Sequence, residues 1–142
     1  MKMSNSPTNT RPTIFLVEED DDARPILTKT IRKLGYRLLV AADLEDAREW
    51  VGGDGYIHAD LVLIDLVRKS TEEVLSAGRE LRAQAKYDGR TPLVVIPEKF
   101  AIELVGTDEN VGGHDWICYY EDGEQLQKLL ARLTRKDAAQ GP

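Results

Sequence analysis

The chain is predicted to fold as one α/β domain around a parallel sheet covered by helices on both faces. Three observations carry this. Five short apolar runs recur along the chain, at Thr13 to Val17, Arg37 to Ala41, Leu61 to Asp65, Leu93 to Ile96 and Trp116 to Tyr119. Amphipathic stretches of helical period separate them. The runs are apolar on both faces, as strands buried between two helical layers must be. A length of 142 residues suits one core without disulfide or metal staples.

The elements follow in order. A first strand ends in the acid run Glu18 to Asp22. Asp22 is the expected N-cap of the first helix, Pro25 falls in its first turn, and Leu27, Ile31 and Leu34 share a face that ends at Gly35. The second helix carries Leu44, Ala47 and Val51 at helical spacing. Ser70 and Glu73 stand at capping-box separation before the third, with Val74, Leu81 and Ala85 inward. The last shows Leu126, Leu129, Leu130 and Leu133. The fourth helix is the weak element: Ile102 to Gly113 holds Gly106, Thr107, Asp108, Asn110 and a Gly pair, so a short or irregular helix is expected there. The domain spans 13–134. Residues 1–12 and 135–142 are polar, and both are expected to be disordered tails.

Composition narrows the function classes. Hydrophobic residues make up 42% and charged residues 31%, the balance of an ordinary globular protein. No run reaches the roughly 20 apolar residues of a membrane span, and MKMSNSPTNTRP lacks a signal-peptide core, which points to the cytoplasm. The formal net charge is −6 and the cations are scattered, so direct nucleic-acid binding is not expected. Cys118 sits in the apolar run Trp116 to Tyr120 and reads as a packing residue. His58 and His114 lack the neighbours of a transition-metal site and read as loop residues.

The chemistry gathers where the strands end. In a doubly wound sheet, ligands bind outside the carboxyl ends of the strands. Ile14-Phe15-Leu16-Val17 runs into Glu18-Glu19-Asp20-Asp21-Asp22, and Leu61-Val62-Leu63-Ile64 ends in Asp65. Carboxylates converging on one crevice repel and raise their pKa values unless a cation intervenes. A hard divalent ion is the matching cation, and an Asp beside it can accept a phosphoryl group by in-line attack. As an alternative, the acid run is a solvated loop that favours a helix N-terminus, and Asp65 closes its strand by accepting loop amides.

The stretch from Thr13 to Leu133 resembles the response-regulator receiver family, most specifically over IFLVEEDDDARPILTKTIRKLGYRLLVAADLEDAREWV. That resemblance implies a flavodoxin-like (βα)5 fold, with a five-stranded doubly wound parallel sheet in strand order 2-1-3-4-5. It implies Asp65 as phosphoacceptor and Mg2+ as cofactor, held by Glu18, Glu19, Asp65 and the backbone carbonyl of Val67. Glu19 stands where the family usually has Asp, a change that weakens the metal site.

Other positions depart from the pattern. The family's Met-Pro after the phosphoacceptor is Arg68-Lys69 here, and the hydroxyl that follows the fourth strand is replaced by Pro97. Where the family places Lys and Pro after the fifth strand, the chain reads Trp116-Ile117-Cys118-Tyr119-Tyr120. Losing one preorganised donor of this kind typically costs about 3 to 4 kcal/mol of transition-state stabilisation. Tyr119, Lys99 and Lys69 are candidate substitutes for the missing Lys. Trp116 takes the family's switch aromatic position, with no hydroxyl at Pro97 to couple to.

The resemblance implies a single-domain, non-enzymatic protein of two-component phosphorelay signalling. Its partners would be a sensor histidine kinase or phosphotransfer protein and a downstream target, with no membrane and with room for a homodimer. The alternative is a pseudo-receiver, an interaction module independent of phosphorylation. Two other classes fit less well. A phosphatase with an Asp nucleophile wants a second Asp where Val67 stands, and a flavin carrier's phosphate would be repelled by five acids.

Overall fold

A computed structural model describes residues 11–135, so the expected tails at 1–12 and 135–142 lie outside the described residues except for residues 11, 12 and 135. The chain runs β1 (Thr13–Glu18), α1 (Ala23–Lys33), β2 (Arg37–Ala41), α2 (Leu44–Val51), β3 (Leu61–Asp65), α3 (Thr71–Gln84), β4 (Leu93–Val95), a 3-10 turn (Ile102–Leu104), β5 (Asp108–Asn110), β6 (Asp115–Cys118) and α4 (Gly123–Thr134). The sheet order is β2-β1-β3-β4-β6-β5. The first five strands in that order are parallel, as expected.

One expected element is replaced. The fourth helix reduces to the 3-10 turn, and β5 follows it as an antiparallel partner of β6 at the sheet edge. The local cause is composition. Gly106 turns at φ 85°, where helix cannot continue, and its N–H donates to the Tyr119 carbonyl at 2.8 Å. From there the chain is already committed to pairing beside β6.

Alternation along the strands sorts the core into two layers. Ile14 and Leu16 of β1 pack with Leu27 and Ile31 of α1 and Leu126, Leu129 and Leu130 of α4. Phe15 and Val17 face the other way, toward Ala47 and Val51 of α2 and Val74 and Leu81 of α3. Cys118 is fully buried, which fits its reading as a packing residue. Helix and sheet pack closely at Gly78 of α3, where a Cβ would stand 2.7 Å from Leu93 Cδ1. Glycine lets helix and sheet approach there.

Helix ends follow the sequence with one correction. Ser70 and Glu73 make both bonds of a capping box on α3, and Gly35 leaves α1 at φ 99°. Asp22, however, makes no side-chain cap. The cap comes from Asp20, whose Oδ1 accepts from the N–H groups of Asp22 at 2.8 Å and Ala23 at 3.1 Å. The acid run curls back by two residues before the helix begins.

Candidate functional site

Register brings the acids together. Glu18 and Asp65 are Cα partners in the β1–β3 ladder, so two neighbouring strands end side by side on carboxylates. Glu18 is completely buried and Asp65 is half-buried. One Glu18 oxygen, Oε2, accepts the Asp20 N–H at 3.2 Å. The other, Oε1, is buried with no amide or hydroxyl to accept from. Burial, reinforced by the Asp65 charge and a hydrogen bond to Asp65, pushes Glu18 up to about 9. Burial also raises Asp65, to about 6; the bond from Glu18 pulls it down, and the charges of Asp20, Glu98 and Glu19 push it up. Both shifts favour the neutral forms, so the pair resists carrying two charges at once.

Glu19 is oriented differently. Its backbone N–H donates to the Asp65 carbonyl at 3.1 Å. Its carboxylate accepts two other amides, Val67 N–H at 3.1 Å on Oε1 and Leu44 N–H at 3.3 Å on Oε2. The four expected metal positions, Glu18, Glu19, Asp65 and Val67, thus lie in one crevice, with Glu19 facing backbone donors. Among the described residues, no group of three or more His, Cys, Asp or Glu is arranged to hold a metal ion. Magnesium asks for oxygens free to meet it in near-octahedral geometry. With both Glu19 oxygens engaged by backbone amides, this donor set does not fit it as it stands.

The switch positions are built for packing. Pro97 is buried after β4. The Tyr119 ring meets Phe100 edge-on at 5.2 Å, and its hydroxyl donates to Glu109 of β5 at 2.8 Å. Burial and that carboxylate raise the Tyr119 hydroxyl to about 12, so it stays a neutral donor. Half-buried Trp116 lies under the Arg132 guanidinium at 4.9 Å. Tyr120 is half-buried beside α4, packed on the Leu126 cluster. Lys69 and Lys99, with Arg68, Ser70, Thr71 and Glu98, line a cavity of about 360 Å³ beyond Asp65.

Two residues that frame the site were missed. Arg24 reaches back from α1 to the Glu18 carbonyl at 2.9 Å and the Asp21 carboxylate at 2.7 Å, pinning the acid turn. The i,i+3 spacing of Asp21 and Arg24 was the available signal. Glu98 accepts the Arg68 N–H at 2.8 Å, bridging the loops after β3 and β4. Nothing in local sequence announces that contact.

The molecule has the fold of a CheY-like response-regulator receiver domain. It superposes on a CheY-like receiver domain protein from Methanospirillum hungatei JF-1 with TM-score 0.66 and 13% identity, over 93% of this chain and 100% of that one. The chemotaxis protein CheY4 of Vibrio cholerae gives 0.61 at 20% identity, over 87% and 99%. The receiver domain of a Pseudomonas aeruginosa PAO1 sensor histidine kinase, with magnesium coordinated in its active site cleft, gives 0.61 at 24%, over 89% and 99%. No family model and no curated protein matches the sequence.

Proposed function

We propose that this chain is a receiver-type signalling module of a two-component system, and that it acts by protein contact in a state set by its closed acidic crevice. It is a binding module rather than an enzyme. The observation that carries this is the self-contained carboxyl pair. Glu18 and Asp65 meet in register, each is pushed toward its neutral form, and among the described residues no Lys or Arg side chain is hydrogen-bonded to either carboxyl. Pro97 offers no hydroxyl for a phosphoryl oxygen, and the Tyr119 hydroxyl is committed to Glu109. Each lost preorganised donor costs roughly a hundred- to a thousandfold in rate. The partners this reading implies are a histidine kinase or phosphotransfer protein on one side and a protein target on the other. No described helix is long and apolar enough to cross a membrane.

A second reading keeps Asp65 as a phosphoacceptor with magnesium on Glu18, Asp65 and the Val67 carbonyl. It is favoured by the partial exposure of Asp65 and by the cations Arg68, Lys69 and Lys99 around the neighbouring cavity. Incubation with magnesium and acetyl phosphate, followed by intact-mass spectrometry, separates the two. The closed-crevice reading predicts no phosphoryl adduct. An acid- and hydroxylamine-sensitive adduct, lost in Asp65→Asn, would replace it with the second.

A further inference from the structure

We infer that Glu19 is a positioning residue, a carboxylate clamp that ties the loop after Asp65 to the first turn of α2. The geometry is bidentate. Oε1 accepts the Val67 N–H at 3.1 Å and Oε2 accepts the Leu44 N–H at 3.3 Å, so one side chain bridges two elements distant in sequence.

Each amide has a reason to need it. Leu44 is the first residue of α2, and its N–H has no intrahelical acceptor. Asp43, the N-cap, spends its side chain on Asp46 N–H at 2.7 Å, which leaves Leu44 to Glu19. Val67 lies in the loop directly after the Asp65 strand end. The next amide, Arg68 N–H, is taken from the other side by Glu98 at 2.8 Å. Two acids from the flanking loops thus brace consecutive amides of one loop, and they hold Arg68 in the left-handed region at φ 57°. A non-glycine residue stays there when its surroundings over-determine it.

The length of Glu19 is what makes the bridge. An aspartate at this position would withdraw the carboxylate by about 1.5 Å, one carbon–carbon bond, beyond reach of both amides at once. The crevice floor and α2 then move as one unit while the clamp holds, and separately when it opens. This inference rests on the closed-crevice reading above, since it names what closes the crevice.

Amide hydrogen exchange by NMR on the full chain tests it. In Glu19→Asp, exchange at Leu44 and Val67 is expected to accelerate about tenfold, while the core amides of β3 keep their protection. Glu19→Gln keeps the reach but turns one acceptor into a donor, so one of the two amides is freed and the other stays protected. Magnesium chloride titrated into Glu19→Asp is expected to shift crevice amides at concentrations about tenfold lower than in the wild type, because a carboxylate released from the two amides is free to meet the ion. Unchanged exchange at both amides in Glu19→Asp, or equal magnesium midpoints in the two proteins, would overturn the clamp. A phosphoryl adduct on a wild type whose Leu44 and Val67 amides remain protected would sink the closed-crevice function and leave the clamp standing.

Discussion

The two ends of the sheet each bury a carboxylate, and they neutralise it by opposite means. At the amino end, Asp115 opens β6 and is 6% exposed. Arg79 Nε meets it at 2.7 Å and Arg82 Nη1 at 2.6 Å, and Arg82 also reaches the Thr91 carbonyl at 3.0 Å. Burial would raise this acid, but the two guanidiniums hold it below the ordinary carboxylate range. At the carboxyl end, no guanidinium or ammonium among the described residues is hydrogen-bonded to the Glu18 carboxyl. Burial and the neighbouring Asp65 push it toward the protonated form instead. A buried charge must be paired or must neutralise itself. The amino end is therefore fixed scaffold, and the crevice is poised on protonation.

The comparison breaks first at Asp115. Asp115→Ala strands Arg82, whose side chain is only 14% exposed, and half-exposed Arg79. Removing one partner of a buried pair costs about 3 kcal/mol or more, which urea unfolding at neutral pH measures. A loss below about 0.5 kcal/mol would place this cluster with ordinary surface ion pairs.

The pH dependence should differ in sign between the two ends. Glu18 binds its proton more tightly folded, about 9, than at its ordinary 4.5. Its contribution is complete below 4.5 and is lost as pH rises toward 9. Asp65 adds the same trend between 3.8 and about 6. Asp115 runs the other way, its contribution present above 3.8 and lost as pH falls through its lower folded value. Above neutrality, unfolding free energy should fall by at most about 1.4 kcal/mol per pH unit for the one extra proton held. Glu18→Gln, a permanent stand-in for the protonated acid, should flatten that slope in pH-resolved urea titrations.

The smallest expected effect is also the sharpest contrast. Asp65→Asn removes a charge that burial and three nearby acids disfavour, so it should stabilise the protein by on the order of 1 kcal/mol at pH 7. The same chemical change at Asp115 should destabilise it. Equal signs for the two Asn variants would remove the distinction between the ends.

Much of this was legible in the sequence, because strand and helix periodicity depends on local pattern. The five parallel strands, the capping box at Ser70 and Glu73, and the apolar faces of α1, α2, α3 and α4 follow from spacing alone. The poor helix formers between Ile102 and Gly113 announced a missing helix. They did not announce β5, because Asp108-Glu109-Asn110 has little strand propensity of its own and is held by its antiparallel pairing with β6 across the tight turn at Gly112 and Gly113. Glu18, Glu19 and Asp65 were found by their places at strand ends. The direction in which Glu19 points was not, because its acceptor role is set by amides 25 and 48 residues away. Asp115 went unread although Arg79 and Arg82 stand i,i+3 apart on α3, as the sequence reading began that strand one residue late.

Carbon-13 carboxyl titration of Glu18 and Asp65 tests the closed acidic crevice most directly. The account predicts that Glu18 remains protonated through pH 7 and titrates near 9, while Asp65 titrates near 6. Two carboxyls that both ionise near 4 would contradict it, and would leave the crevice with a full set of negative charges that only a cation could hold together.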